Sequence, residues 1–497
     1  MSTIDRVIIL GGGSAGWMAA AMLAKLMGRQ LDICLVESED IGTVGVGEAT
    51  IPPIMLFNRL LGLDEGDFLR QNQGTIKLGI QFEGWGRAGE SYMHAFGHIG
   101  KDLGLTRFHH LWLRARALGL GGDFWDYSLN SQAARKGRFK PLDKIPGTPL
   151  PGLTHAYHFD AGRYAQMLRR VAEGQGVRRI EGRVVEVPLR KDGNIDALVL
   201  ASGQRLEGDL FIDCSGFQAL LIEGALGAGF EDWSHWLPCD RAWAVPTAAS
   251  GEPKPYTRAM AREAGWQWRI PLQHRTGNGL VYCSDHWQDA EAREQLLAGL
   301  DGEPLAEPRL IRFRTGRRKR QWHRNCVSLG LASGFLEPLE STSLHLIQSG
   351  ITRLIKHFPR RGLAPALIDE YNRQSAIEFE RIRDFVILHY HLNRREEAFW
   401  RARRDMAIPD SLAHKLALFQ ASGRVFREQD ELFSEVAWHQ VLLGQGLIPA
   451  DRDPMADAIS DQQLAVFLGD LRTLVDRTVA RLPGHQAFLD HACGGNS

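Results

Sequence analysis

The segment RVIILGGGSAGWMAAAMLAKLMG, from Arg6 to Gly28, restricts the fold of this chain more than any other. Arg6 to Leu10 is dominated by Val, Ile and Leu, the pattern of a parallel strand buried on both faces. It enters Gly11-Gly12-Gly13-Ser14-Ala15-Gly16, a GxGxxG, and the following residues are helix formers up to Gly28. LDICLVE then reads as a second strand ending at Glu37. Each part has a physical task. Gly11 permits the tight turn, Gly13 lets a pyrophosphate approach the backbone, and Gly16 allows close helix–strand packing. The first helical turn, with Ser14 and Ala15, offers unpaired N–H groups to phosphates. Glu37 can accept from ribose hydroxyls. Glycine-rich turns also occur by chance, so the motif carries weight only because strand, helix and second strand surround it. In that order the stretch predicts a dinucleotide-binding βαβ unit.

A chain of 497 residues has room for two to four domain-sized units. Lys+Arg and Asp+Glu both number 59, so no net basic field draws in nucleic acid or a membrane surface. The six cysteines (Cys34, Cys214, Cys239, Cys283, Cys326 and Cys493) show no CxxC and fit reduced thiols. The first residues read as a strand running into a turn rather than a secretory leader. No uncharged apolar run approaches the roughly 18 residues of a membrane span. The expectation is a cytoplasmic globular protein without nucleic-acid or membrane partners, with a homodimer left open.

Two later segments return to the first unit's pattern. Asp209-Leu-Phe-Ile-Asp-Cys-Ser-Gly-Phe217 is an apolar strand ending in small residues, and VSLGLASGF, Val327 to Phe335, repeats the design. Late returning strands of this type are required by an FAD module of the aromatic-hydroxylase kind. Such hydroxylases usually carry Gly-Asp on the late strand, with the Asp at the flavin's ribityl region. Here Gly330 is followed by Leu331, which counts against an ordinary hydroxylase.

Gly265-Trp-Gln-Trp-Arg-Ile-Pro271 places two tryptophans two residues apart. In an extended chain Trp266 and Trp268 lie on one face, and Pro271 ends the strand. Core filling is one reading, and a wall around a reactive site is the other.

These motifs, with GVGEATIPP (Gly45 to Pro53), TIKLGIQF (Thr75 to Phe82), WxWxIP and EPLEST (Glu337 to Thr342), occur in the order found in one family. The chain resembles the flavin-dependent halogenases of the tryptophan-halogenase type over nearly its whole length. It most resembles the branch acting on free indole-like compounds, often with bromide. The resemblance implies an α/β fold: an FAD-binding module of the aromatic-hydroxylase, glutathione-reductase-like type, with an interleaved substrate sheet and a helical C-terminal cap. The FAD module spans residues 1–360, with substrate-side β elements inserted at about 80–150 and 225–320, and the cap spans 361–497.

The resemblance also implies a division of labour. FADH2, supplied by a separate NAD(P)H-dependent flavin reductase, reacts with O2 to a flavin hydroperoxide. A halide ion (bromide or chloride) attacks it, and the hypohalous acid is channelled to a small aromatic substrate. FAD contacts are implied for Gly11, Gly13, Ser14, Ala15, Gly16, Glu37, Ala49, Leu336 and Leu344. Lys77 matches the family's essential lysine, which polarises hypohalous acid or forms a haloamine. By residue type alone a solvated Lys is the stronger reading, since burying one in so apolar a run is costly without a function.

Glu340 matches the acid that offsets charge in the cationic ring intermediate and accepts its proton. Ser341 or Thr342 reads as a helix N-cap before LHLIQSGITRLIKHF. The halide is implied on the backbone amides of Thr342 and Ser343, where most relatives have Thr-Gly. Ser341, His94, Phe96 and Trp438 are implied in the substrate pocket. Trp266, Trp268 and Pro271 are implied as a channel wall that keeps substrate from the flavin. Tryptophan-specific relatives carry tyrosines where this chain has Trp438-His439, which favours an indole without the amino-acid head or a larger scaffold.

Two rival functions are an FAD-dependent aromatic monooxygenase and a catalytically idle flavin-binding protein. Leu331 and Lys77 speak against the first, and the retained Lys77 and Glu340 against the second. No metal is expected, because His94, His98, His109 and His110 lack a completing acid or thiol.

Overall fold

The computed structural model of the chain describes residues 3–39, 48–428 and 431–494. Two compact units emerge: residues 1–73, 159–241 and 311–380 form the first, and 74–158, 242–310 and 381–497 the second.

The first unit is built on a six-stranded sheet. Its order is Trp322–His323, Cys326–Ser328, Leu210–Asp213, Arg6–Leu10, Asp32–Glu37 and Arg178–Glu181. All neighbours run parallel except the first pair. The strand Arg6–Leu10 lies centrally, with Val7 opposite Leu210 and Ile33. Its continuous apolar run is explained by this position, since both faces are covered. The helix Ser14–Met27 follows and ends at Gly28, as its composition predicts. The two late strands expected from sequence, at Leu210–Asp213 and Cys326–Ser328, join this sheet beside Arg6–Leu10. Asp213, fully buried, accepts from the N–H groups of Ser215, Leu221 and Ile222, so the turn after its strand is fixed.

The second unit holds five neighbouring strands of a seven-stranded sheet: Thr276–Tyr282, Gly265–Pro271, Thr257–Arg262, Gly79–Glu83 and Ser91–Ala95. Helices dominate the C-terminal region, including Asp410–Ser422, Glu435–Gly444 and Asp461–Ala480. No described helix is long and apolar enough to cross a membrane.

Three histidines of the second unit stack in its interior. His109 and His110 have ring centroids 3.9 Å apart, and His109 and His439 3.8 Å. His109 donates from Nε2 to the Gly423 carbonyl, whereas His110 Nδ1 accepts from the Asp453 N–H. These bonds already engage His109 Nε2 and His110 Nδ1 with backbone groups. Among the described residues no group of His, Cys, Asp and Glu can hold a metal ion.

Burial pushes the His110 imidazole down to about 4 and that of His439 to about 3, and lowers His109 further. Unfolded histidines titrate near 6.5, so below that pH the unfolded chain binds protons that the folded one refuses. Stability is therefore expected to fall as pH drops from about 6.5 towards 4. Urea melts between pH 7 and 4.5 check this. His439→Leu should flatten the slope, and an identical slope in that variant would exclude the stack as its cause.

Candidate active site

In the first unit, the glycine turn has the form a pyrophosphate requires. A Cβ built on Gly11, whose φ is +115°, would stand 2.3 Å from the Cys214 carbonyl oxygen. One on Gly16 would stand 1.8 Å from the Gly11 carbonyl oxygen, so both glycines serve close packing. Gly13 differs: a Cβ there meets nothing within 4 Å, leaving open space above the helix start. Gly13 caps the helix Ser14–Met27 without a side-chain hydrogen bond, and no acidic residue occupies the first turn. The N–H groups of Ser14, Ala15 and Gly16 thus keep their capacity for an anion.

Glu37 ends its strand beside this turn and accepts from Trp17 Nε1 at 3.3 Å, while Arg179 pairs with its other oxygen. Gly330, with φ +62°, presses the loop after Cys326–Ser328 against Ala15, where a Cβ would come within 2.9 Å. These features fit a bound FAD. Ala49 closes the two-residue strand Glu48–Ala49, and burial pushes the Glu48 carboxyl up to about 7. Gly45, Val46 and Gly47 of the GVGEATIPP motif lie outside the described residues.

The EPLEST segment is also part of the first unit. Pro338–Glu340 forms a single 3-10 turn, with Glu340 only 1 % exposed. Ser341 then takes a left-handed conformation with φ +58°, a strain of about 1–3 kcal/mol for a non-glycine residue. Thr342 occupies the N-cap position of the helix Ser343–Lys356, but its side chain makes no capping hydrogen bond. Of the two candidates Thr342 takes the N-cap position, and its hydroxyl does not form the expected cap. The reason is geometric: a capping residue is extended, and Thr342 sits at φ −90°, ψ −7°. Its carbonyl accepts from Leu346, so the N–H groups of Ser343, Leu344 and His345 precede the first helical bond.

That helix is braced by Glu378, which accepts from His345 Nε2, Ser349 Oγ and Arg353 Nη2. Burial pushes the Glu378 carboxyl up, yet the hydrogen bonds and charges of His345 and Arg353 win and hold it at about 2. Leu336 and Leu344 are buried on either side of the EPLEST turn.

In the second unit, Lys77 ends the short strand Thr75–Lys77 and is 0 % exposed. Its ammonium stands 5.4 Å from the Phe96 ring centroid, within cation–π range. Phe96 is itself placed by its N–H bond to the Leu78 carbonyl. Asn130 braces the same stretch, donating to the Thr154 carbonyl and accepting from the Thr154 N–H.

The strand is further fixed by a directional relay. Thr75 Oγ1 donates to the Pro271 carbonyl at 2.7 Å, so towards His158 it can only accept. His158 therefore carries its proton on Nδ1 and receives the Thr257 hydroxyl at Nε2, 2.9 Å away. Burial, with the charge of Lys77, pushes His158 well below its ordinary range and keeps it neutral. One chain of hydrogen bonds thus ties the Lys77 strand to the end of WxWxIP. Nothing in local spacing marked His158, and Thr75 opens the TIKLGIQF motif without a role of its own; the two are 83 residues apart.

Trp266 and Trp268 are both buried in the strand Gly265–Pro271, with ring centroids 6.0 Å apart. Trp266 also lies 6.2 Å from Trp85, within an aromatic cluster containing Trp400 and Tyr390. Trp268 faces Gly279 across the ladder, where a Cβ would come within 2.0 Å of the indole. Its Nε1 is buried without a hydrogen-bond partner among the described residues.

His94 and Trp438 meet in a second cluster. Phe385 stacks on Phe433 at 3.8 Å, Trp438 packs edge-on to Phe385 at 5.0 Å, and His94 is 5.6 Å from Phe385. Lys415, paired with Glu431 at 3.3 Å, lies 5.3 Å from the Trp438 ring. The second unit thus brings together two groups: Lys77 with Phe96, and His94 with Trp438. The first unit holds Glu340, Ser341, Thr342, Ser343 and the glycine turn.

A family model described as tryptophan halogenase matches residues 6–461. The chain belongs to the tryptophan halogenase family. It is accordingly an enzyme, a flavin-dependent halogenase and hence an oxidoreductase. This halogenase is 34 % identical over 485 residues to tryptophan 7-halogenase RebH of Lentzea aerocolonigenes, covering 91 % of each chain. It resembles the solved structure of Xcc4156, a flavin-dependent halogenase from Xanthomonas campestris, with a TM-score of 0.96 and 53 % identity over 99 % of both chains. BrvH, a flavin-dependent halogenase from Brevundimonas sp. BAL3, matches with a TM-score of 0.95 and 47 % identity, over 98 % of this chain and 99 % of that one.

Proposed function

We propose that this halogenase uses FADH2, O2 and a halide to halogenate an electron-rich aromatic, an indole derivative, with Lys77 and Glu340 as its catalytic residues. The observation that carries the reading is the fully buried Lys77 ammonium beside the Phe96 ring. A cation held out of water next to an aromatic surface suits the handling of an electrophile meant for another aromatic ring. Bound FAD, in its reduced form and with O2 and halide, supplies hypohalous acid. Gly11, Gly13, Ser14, Ala15, Gly16, Glu37, Ala49, Leu336 and Leu344 hold the cofactor, which a separate flavin reductase reduces.

Thr342 and Ser343 hold the halide on backbone N–H groups. The side chain of Ser343 leaves this anion site less suited to the small, strongly hydrated chloride, and bromide is preferred. Lys77 donates a hydrogen bond to hypohalous acid, or takes up the halogen as a haloamine, and delivers it to the aromatic ring. Phe96, His94, Ser341 and Trp438 hold that ring. Glu340 stabilises the cationic ring intermediate and accepts the departing proton. The deciding assay supplies FAD, NADH, a flavin reductase, indole and equal bromide and chloride, with products weighed. A gain of one bromine is expected. A gain of one oxygen would establish a monooxygenase, no change an idle flavoprotein, and equal bromo and chloro products would remove the bromide preference.

Trp266, Trp268 and Pro271 guard the reactive halogen species in this reading. Trp266→Phe with Trp268→Phe conserves much of the buried aromatic volume, so a folded flavoprotein is expected. Hydrogen peroxide or oxygenated product should rise severalfold relative to halogenated product. An unchanged ratio would reduce the pair to packing within the Trp85 cluster.

A further inference from the structure

The edge strand Ser91–Ala95 is completed by a side chain instead of another strand. Gln440, buried on the helix Glu435–Gly444, accepts from the Ala95 N–H through Oε1 at 2.9 Å. Its Nε2 donates to the Ala95 carbonyl at 3.0 Å. A neighbouring strand residue would make the same pair of bonds. Only a side chain with both a donor and an acceptor at its tip can supply them.

The clamp has a special location. Ala95 ends its strand between His94, the last but one residue of that strand, and Phe96, the first residue beyond it. Gln440 comes two residues after Trp438 on its helix. A second carboxamide anchors the far end of the same contact: Gln445 Nε2 reaches the Tyr92 hydroxyl at 3.3 Å and the His389 carbonyl at 3.0 Å. With both ends tied, the helix bearing Trp438 cannot slide along the strand bearing His94.

We infer that Gln440 is a positioning residue that fixes the register of Trp438 against His94 and Phe96, and thereby selects which ring carbon of the aromatic substrate is halogenated. The inference rests on the reading of those three residues as the substrate pocket. An ångström of slide moves one wall past the other, and misplacement of that size changes rates by up to about 10²-fold.

The test compares Gln440→Met, which keeps length but breaks both bonds, with Gln440→Glu, which keeps only the acceptor. Phe96→Leu serves as a pocket control. Three quantities are read: affinity for indole by calorimetry on the flavin-free protein, KM and kcat for indole with bromide, and the ratio of bromoindole isomers. Gln440→Met is expected to raise KM about tenfold, to weaken calorimetric affinity in step and to broaden the isomer ratio. FAD affinity should be unchanged, and Gln440→Glu should be intermediate. If Gln440→Glu alone folds, a shifted isomer ratio in it supports the role. An isomer ratio and KM left at wild-type values while Phe96→Leu shifts them would overturn the role of Gln440 and leave the pocket standing. Unchanged values in both Gln440→Met and Phe96→Leu would overturn the pocket and the clamp's function with it.

Discussion

Lys77→Ala is expected to reduce halogenated product by about 10²-fold or more while the enzyme still binds FAD and consumes FADH2 and O2. The residues proposed to hold FAD belong to the first compact unit and Lys77 to the second, so truncating Lys77 leaves the glycine turn untouched. A loss of 10² corresponds to about 2.7 kcal/mol of transition-state stabilisation. Alanine also opens a cavity at a fully buried position, so Lys77→Met, which keeps most of the volume, separates chemistry from packing. Both variants should decouple flavin oxidation from product, with hypohalous acid escaping to water. Measuring FADH2 consumption against product mass checks this. Product formed by Lys77→Met at near the wild-type rate would exclude Lys77 as the halogen-transferring residue.

Glu340→Gln is the second variant with a large expected effect. The substitution preserves shape and one acceptor oxygen but removes the acid from a buried side chain that ends a 3-10 turn just before the left-handed Ser341. An uncharged amide neither balances a cationic ring intermediate nor accepts its proton well. A fall in kcat of about 10² is expected, with FAD and halide affinity close to wild type. The split matters because Glu340 immediately precedes the segment proposed to hold the halide. A variant that loses halide affinity with kcat intact would place Glu340 in maintaining the turn at Ser341, and unchanged turnover would remove it from the chemistry.

The features legible in the sequence were those whose physics is local. Arg6–Leu10, Ser14–Met27 and Asp32–Glu37 have the extents their residues predict, because an apolar run, helix formers and a closing glycine act over a few neighbours. The strand ending at Pro271 follows from proline's missing N–H. The burial of Lys77 was not legible in this way: residue type favours a solvated lysine, and the fold alone takes its side chain out of water.

The N-cap hydroxyl illustrates where local rules stop. Ser and Thr before a helical pattern predict a capping bond, but the left-handed turn at Ser341 sets Thr342 in a conformation from which its hydroxyl does not cap.

The sequence by itself determined the dinucleotide turn, the order of the motifs and the family they resemble, because each is written in neighbouring residues. Only the tertiary structure decided which distant groups meet. It joined His158 to Thr75 and Thr257, stacked His439 on His109, and set the Gln440 carboxamide against Ala95, 345 residues away. Hydrogen-bond partners and ring stacks depend on distances of a few ångströms between segments far apart in the chain. Residue spacing does not encode those distances, and the packing of the sheets against their helices does.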